Sequence, residues 1–194
     1  MKVIIDNGHG KETKGKRSPD ERIREYAYAR KVKKELINRL KAEGIEAVDL
    51  VPEENDIPLS ERCRRANRVE GNDNFLISIH LDAAGNSSQW MNARGFSVRV
   101  SKNASSKSKK LAQCLYDAAA SRGLKGNRCV PPERYWVQNL AICRDTRCPA
   151  ALTENLFQDN KQDVDFLLSD EGFKAIVDLH VEGIKNYINF IKAQ

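Results

Sequence analysis

The chain lacks the features that mark disulfide-stapled, membrane-spanning or single-strand-binding proteins. Its five cysteines are an odd number and include no CxxC pair, which favours a reduced compartment over a disulfide scaffold. No stretch approaches the roughly 20 apolar residues that a membrane span needs. We therefore expect no membrane insertion. Aromatic residues make up 7% of the chain and do not alternate with the basic clusters, so we expect no nucleic-acid binding.

The chain also has no internal repeat and no low-complexity segment. Residues 1–6 contain no apolar signal-peptide core and no cleavage site, so we expect synthesis in the cytoplasm without a signal peptide. With 194 residues, 40% of them hydrophobic, the chain can bury one sizeable core, and we predict a single domain over residues 1–194. The net charge of +6 favours anionic partners but says nothing about the fold.

Apolar periodicity predicts alternating strands and helices. Strands are expected at residues 45–51, 75–79, 95–100, 140–143 and 150–153, and a further strand is expected in the run 3–10. Helices are expected at residues 23–43, 58–67, 105–122 and 170–192, and residues 126–138 are expected to be irregular. Because the first two strands are joined by a helix, they are predicted to pair in parallel. The fold class is therefore α/β, with a central, mostly parallel sheet flanked by helices.

Chemically active side chains follow three of these strands. His9 lies at the end of the run 3–10, His80 ends the run 75–80, and Glu154 follows the run 150–153. Side chains just past the carboxyl ends of parallel strands gather in one crevice. Gly8 and Gly10, on either side of His9, permit positive φ and close backbone approach. This pattern predicts a metal-hydrolase site.

Hydrolytic zinc is commonly held by two histidines and one carboxylate, and a fourth position is left for water. The candidates for the carboxylate are Glu12, Asp20, Glu21 and Glu25. Glu25 lies in the first turns of the long helix and could reach the strand ends, but Glu21 remains its rival. A further carboxylate beside the site, Glu154, could take a proton from water and deliver it to a leaving amine.

These residues carry a resemblance to a known family. The chain resembles the zinc-dependent N-acetylmuramoyl-L-alanine amidases of the amidase 3 type. The resemblance lies in the motif at residues 5–10, Glu25 on the helix that ends at 40–44, Arg62 with residues 66–67, the run 78–80 and the run 149–154. The resemblance spans nearly the whole chain.

The resemblance implies a twisted α/β sheet, one zinc ion, and hydrolysis of the amide between N-acetylmuramic acid and L-alanine in peptidoglycan. Position by position, His9, Glu25 and His80 match the zinc ligands, and Glu154 matches the catalytic glutamate. Counting back from Gly44 favours Glu25 over Glu21. An enzyme of this kind without an export signal is expected to be an endolysin that reaches the cell wall after release, or a domain excised from a larger exported protein.

Several positions depart from the family pattern or lie outside it. The family usually has proline at Asn7, asparagine at Asp82 and glycine at Leu156, and the extra charge of Asp82 could alter substrate preference or the pKa of the bound water. His180 matches no functional position and is predicted to be a packed histidine on the last helix. Asp6 is predicted to support the turn that carries His9.

Two other functions are compatible with the same residues. The chain could be a zinc peptidase or deacylase of the same fold that acts on another amide. It could also be a non-catalytic peptidoglycan-binding module, which is disfavoured because all four matching site residues are present.

Overall fold

The computed structural model describes all residues from Met1 to Gln194. Six strands form one sheet, and six helices flank it. The strands are β1 (Val3–Asn7), β2 (Ala47–Asp49), β3 (Phe75–Asp82), β4 (Ser97–Val100), β5 (Trp136–Val137) and β6 (Ala150–Phe157). The helices are α1 (Glu25–Ala42), α2 (Leu59–Ala66), α3 (Ser106–Ala120), α4 (Ala141–Arg144), α5 (Lys161–Leu168) and α6 (Asp170–Lys192).

The sheet is mostly parallel, as predicted. The strand order is β2-β1-β3-β6-β4-β5, and the first four strands in that order run parallel to one another. β4 lies antiparallel to β6, and β5 pairs in parallel with β4. The predicted parallel pair of β1 and β2 is confirmed, with Val3 opposite Ala47.

Both faces of the sheet are covered by helices, which explains why the central strands are apolar throughout. On β1, Val3 and Ile5 pack into the larger core, which also takes side chains from α1, α3 and α6. Ile4, between them, points to the opposite face and packs into a smaller core that takes side chains from α2 and α4. The site described below lies where these two layers end, at the carboxyl edge of the sheet.

The last helix is confirmed over Asp170–Lys192, where the Ser169 hydroxyl accepts a hydrogen bond from the Gly172 N–H at 3.0 Å. The strand predicted at residues 140–143 is wrong, because this segment contains the short helix α4. A four-residue apolar run has too little periodicity to distinguish strand from helix. The neighbours Ile142 and Cys143 both pack into the smaller core, whereas a strand would send them to opposite sides.

Three further differences concern the second half of the chain. The strand predicted to end before Glu154 continues to Phe157, so Glu154 lies inside β6 rather than after it. The stretch 126–138, predicted to be irregular, contributes the two-residue strand β5. Helix α5 was not predicted; it begins after Asn160, whose side chain accepts a hydrogen bond from the Asp163 N–H.

A bulge interrupts the pairing of β3 and β6 near the site. His80 lies opposite Glu154, but Asp82 lies opposite Phe157, so β6 contains one residue more than β3 over this interval. Leu156, within this interval, has a φ of 68° and is 3% exposed. A left-handed backbone favours glycine, so a leucine at this position adopts a conformation that L side chains rarely take.

None of the six helices combines the length and apolar character needed to cross a membrane.

Candidate metal centre and active site

Three donor side chains converge at the carboxyl edge of the sheet. His9 follows β1, His80 lies near the end of β3, and Glu25 is the first residue of α1. One ligand atom from each of the three lies within 4.8 Å of the other two. The Glu25 Oε1 atom is 3.4 Å from His9 Nε2 and 3.0 Å from His80 Nδ1.

The glycines beside His9 allow close packing rather than positive φ. The positive φ, 58°, falls on His9 itself, and neither Gly8 nor Gly10 has one. A Cβ atom on Gly8 would lie 2.5 Å from the His80 ring, and one on Gly10 would lie 2.1 Å from the backbone nitrogen of Asp56. The two glycines therefore let the turn approach both the second histidine and the segment before α2.

The Glu25 carboxylate is fully buried and oriented from several sides. Oε1 accepts a hydrogen bond from the Leu81 N–H at 3.1 Å, and Oε2 accepts one from the Gln158 side chain at 3.1 Å. Burial by itself would raise the pKa of Glu25, but hydrogen bonds and charge from His80 and His9 outweigh it and hold the pKa well below its usual range. Burial opposes charge on His80 as well, yet Glu25 raises its pKa overall.

The donor set suits a divalent metal ion. No lysine or arginine forms an ion pair with Glu25, whose only ionisable partners are His9 and His80. When both imidazoles are neutral, which is the form that binds a metal, the buried Glu25 carboxylate has no cationic partner, and a metal ion would supply the missing charge. Two imidazoles with one carboxylate form a ligand set used by hydrolytic zinc.

The other candidate carboxylates lie outside this cluster. Glu21 is 51% exposed in its side chain and pairs with Arg17 and Arg24. The Glu12 carboxylate accepts the backbone N–H of Asp56. Asp20 accepts hydrogen bonds from Ser18 and Arg22. Of the four acids that the sequence left open, only Glu25 joins the two histidines.

Glu154 stands beside the cluster and is not one of its donors. It lies directly opposite His80 in the β3–β6 pairing, where neighbouring strands are about 4.8 Å apart. Its Oε2 atom is buried and has no hydrogen-bond partner, and its Oε1 atom is 3.6 Å from Arg99 Nε. The pKa of Glu154 is raised to about 7, mainly by burial and secondly by repulsion from the Asp82 carboxylate.

The extra negative charge of Asp82 is balanced by two arginines. Asp82 Oδ2 pairs with Arg99 Nη2 at 2.7 Å and also with Arg128 Nη2. The Arg128 guanidinium lies over the Phe157 ring, 4.4 Å from its centroid. Arg99 therefore lies between the carboxylates of Asp82 and Glu154.

Asp6 supports the turn of His9 through an arginine. Its carboxylate accepts a hydrogen bond from Arg62 Nη1 at 3.0 Å and one from the Ser78 hydroxyl at 2.5 Å. Arg62 also donates to the carbonyl oxygens of Asn7 and His9. The side chains of Arg62 and Asp6 are 3% and 1% exposed, so this ion pair is buried beneath the site.

A cavity of about 520 Å³ opens next to the histidines and offers room for a substrate group. His9 and His80 form part of its wall, and much of the remainder is apolar, including Ile57 from the segment before α2 and Ile142 from α4. The short helix α4, absent from the predicted elements, therefore helps to shape the entrance to the site.

His180 takes no part in the site. It is fully buried, with Nδ1 2.7 Å from the Ile176 carbonyl oxygen and Nε2 3.0 Å from the Thr153 hydroxyl. Burial lowers the pKa of His180 to about 4. This geometry agrees with the prediction of a packed histidine.

Sequence reasoning missed Gln158, Arg99 and Arg128. Gln158 directly follows the end of β6, so it is another polar residue just past a strand. It was missed because the strand was predicted to end at residue 153. Arg99 and Arg128 reach Asp82 from β4 and from the segment between α3 and β5, which no local pattern predicts.

A mostly parallel sheet with a histidine–glutamate–histidine cluster at its carboxyl edge, and a further carboxylate beside it, defines a metal-dependent hydrolase. The chain belongs to the N-acetylmuramoyl-L-alanine amidase family (Amidase_3), which matches residues 3–186. Family membership assigns to it amidase activity on peptidoglycan, the reaction of cell-wall lysis.

Individual relatives agree with this assignment. The chain is 27% identical over 194 residues to the endolysin of Bacillus phage SPP1, a match that covers 98% of this chain and 67% of that protein. The crystal structure of an N-acetylmuramoyl-L-alanine amidase from Clostridium difficile 630 superposes with a TM-score of 0.84 at 26% identity, covering 97% and 96% of the two chains. The catalytic domain of the CD27L endolysin, which targets Clostridia difficile, has a TM-score of 0.73 at 25% identity and coverages of 96% and 97%.

Proposed function

We propose that the chain is a catalytic domain, spanning residues 1–194, that hydrolyses the amide between N-acetylmuramic acid and L-alanine with one zinc ion. His9, Glu25 and His80 would hold the ion, and Glu154 would act as general base and then general acid. The observation that carries this assignment is the unpartnered, buried Oε2 of Glu154, placed opposite His80 and beside the three donors.

The chain's residues prepare the site before substrate arrives. Gln158 and the Leu81 N–H fix the Glu25 carboxylate, and Arg62 holds the turn of His9 by its backbone. When bound, zinc supplies a Lewis acid for the scissile carbonyl and lowers the pKa of a coordinated water molecule.

Glu154 moves the proton. Burial raises the pKa of Glu154 above that of an exposed carboxyl group, which suits it to take a proton from the attacking water and release it afterwards. The proton passes to the nitrogen of the departing L-alanine, which leaves as a free amine. The free Oε2 lone pairs make this atom the acceptor, because Oε1 faces Arg99.

The direct test is Glu154→Gln, which keeps the shape of the side chain and removes its basicity. We expect zinc to be retained at one ion per chain and hydrolysis to fall by about 10²–10⁴-fold. Zinc content by elemental analysis and release of peptides from purified cell walls give the two readings. A variant with parental activity would refute the role of Glu154.

Glu25→Gln and Glu21→Gln form a matched pair for the ligand assignment. Glu25→Gln is expected to weaken zinc retention, because it removes the anionic donor from the cluster. Glu21→Gln removes an equal charge four residues earlier, on an exposed side chain, and is expected to leave zinc content unchanged. Zinc loss in the Glu21 variant alone would reverse the assignment.

Product analysis distinguishes this activity from that of a peptidase or deacylase of the same fold. Digested sacculi should yield intact glycan strands and free peptides that begin with L-alanine. Cleavage at any other amide would support the alternative, and the absence of any product would favour a non-catalytic binding module.

We further propose an endolysin-like role, in which the enzyme acts on the cell wall after release from the cytoplasm. The likeness to the phage SPP1 endolysin and to the CD27L catalytic domain supports this proposal. Cells that express the chain should lyse only when a membrane-permeabilising protein is co-expressed. Lysis of equal extent without that protein would contradict the proposal.

A further inference from the structure

A second cavity lies in the loop between β1 and α1, outside the cluster of histidines. It measures about 340 Å³ and is lined by residues of the segment 11–17 together with two residues at the start of α1 and just before it. Five of its lining residues are cationic: Lys11, Lys14, Lys16, Arg17 and Arg24. We refer to it as the basic cleft.

Much of the positive charge in the basic cleft is not neutralised by the protein. Glu21 pairs with Arg17 at 3.1 Å and with Arg24 at 3.3 Å, and the three lysines take part in no ion pair. Glu12 is the one acid in the lining, and its carboxylate already accepts the backbone N–H of Asp56 at 3.1 Å. A concave surface with surplus charge of one sign concentrates ligands of the opposite sign.

The loop around the basic cleft is held in place by hydrogen bonds. The backbones of Arg17 and Arg24 pair in an isolated antiparallel β-bridge. The Ser87 hydroxyl donates to the Gly15 carbonyl oxygen at 2.5 Å. The Thr13 hydroxyl accepts from the Gly10 N–H at 3.1 Å. A preformed loop loses less conformational entropy when it binds a ligand than a flexible one would.

The backbone connects the basic cleft directly to the metal cluster. Lys11 follows His9 by two residues, so their Cα atoms are at most about 7.6 Å apart. At the other end, the Glu25 N–H donates to the Lys16 carbonyl oxygen at 3.0 Å. A ligand group in the basic cleft therefore lies within the reach of a short peptide whose first amide is at the metal cluster.

We propose that the basic cleft binds a carboxylate of the substrate's peptide, the one attached to the glycan through its amino-terminal L-alanine. This inference rests on the proposed function. Such a peptide carries free carboxylate at its far end or on its side chains unless these groups are cross-linked or amidated. Lysine ammonium groups pair with carboxylates as mobile point charges and do not require one fixed geometry.

The test compares two soluble muropeptides that differ only in whether the peptide carboxylates are free or amidated. The variant is K11Q/K14Q/K16Q, and the matched control is K102Q/K109Q/K125Q, which removes the same charge from exposed lysines elsewhere. For the free carboxylate substrate, the cleft variant is expected to raise KM roughly tenfold at nearly unchanged kcat. For the amidated substrate, its KM should equal that of the parent.

Several outcomes would overturn the proposal. One is an equal rise of KM for both substrates, and another is the same rise in the control variant, which would indicate general charge attraction. A defect confined to walls that carry anionic polymers, and abolished when these are stripped, would assign the cleft to phosphate groups instead. If the parent cleaves neither muropeptide, the proposed function fails; calorimetric titration with the free peptide still tests the cleft in that case.

Discussion

Replacing Arg62 by methionine is expected to destabilise the protein strongly, because the change leaves the Asp6 carboxylate buried without its cation. Arg62 donates to Asp6 at 3.0 Å, to the Ile57 carbonyl oxygen at 2.7 Å and to Asp56 at 3.1 Å. Both members of the Arg62–Asp6 pair are almost completely removed from solvent. Methionine retains the apolar stem of arginine, so the perturbation falls mainly on charge and hydrogen bonding.

The expected size of the effect follows from that burial. Removing one partner of a buried ion pair typically costs about 3–5 kcal/mol. For a chain of this length, each kcal/mol shifts the unfolding midpoint by about 2–4 °C, so the Arg62→Met midpoint should fall by roughly 6–20 °C. Zinc affinity should fall as well, because Arg62 also holds the backbone carbonyl of His9.

The assay is thermal and urea unfolding of the parent and of four variants, namely Arg62→Met, Arg64→Met, Asp6→Asn and the double variant Asp6→Asn/Arg62→Met. Arg64→Met is the matched control, since Arg64 lies on the same helix, is 47% exposed and pairs with Glu61 at the surface. Exposed pairs contribute about 0–1 kcal/mol, so this variant should unfold close to the parent. The double variant Asp6→Asn/Arg62→Met should lose less stability than the sum of the single changes. Equal midpoints for Arg62→Met and Arg64→Met would refute the reasoning.

Three further predictions concern pH and metal. His180 has a folded pKa of about 4 against an ordinary 6.5, so between these pH values the unfolded chain binds a proton that the folded chain does not. Stability therefore decreases as the pH is lowered from 6.5 to 4. His180→Leu should remove about 3 kcal/mol of that loss in urea titrations. Asp82→Asn removes a charge that raises the pKa of Glu154, so the acidic limb of the pH–rate profile should move to lower pH; an unmoved limb contradicts this. Chelation should abolish hydrolysis and lower the unfolding midpoint, and zinc should restore both.

Elements with strong local patterns were predicted well. The apolar stripe and the flanking residues of α6 are visible in the sequence, and its bounds agree with the structure. The pattern failed for α4, where four residues contain little more than one helical turn. It also failed for the end of β6, because the polar residues Glu154 and Asn155 look like the start of a loop although the strand continues through them.

For the candidate site, the sequence indicated which residues come together but not how they are held. Histidines at two strand ends and an acid at a third imply a shared crevice, because parallel strands end at one edge. The choice between Glu21 and Glu25 depended on the direction of each side chain. Glu21 has a φ of 58° and points to surface arginines, whereas Glu25 begins the helix and is fully buried.

The order of apolar and polar residues along the chain determined by itself the α/β class, the parallel pairing of the first strands and the set of candidate catalytic side chains. Only the tertiary structure decided that Asp82 is neutralised by Arg99 and Arg128, that Arg62 supports the turn of His9, and that one oxygen of Glu154 remains free. The physical reason is the separation along the sequence of the residues that interact. Periodicity and capping act between residues a few positions apart, whereas charge pairing and burial depend on segments that meet only when the chain is folded.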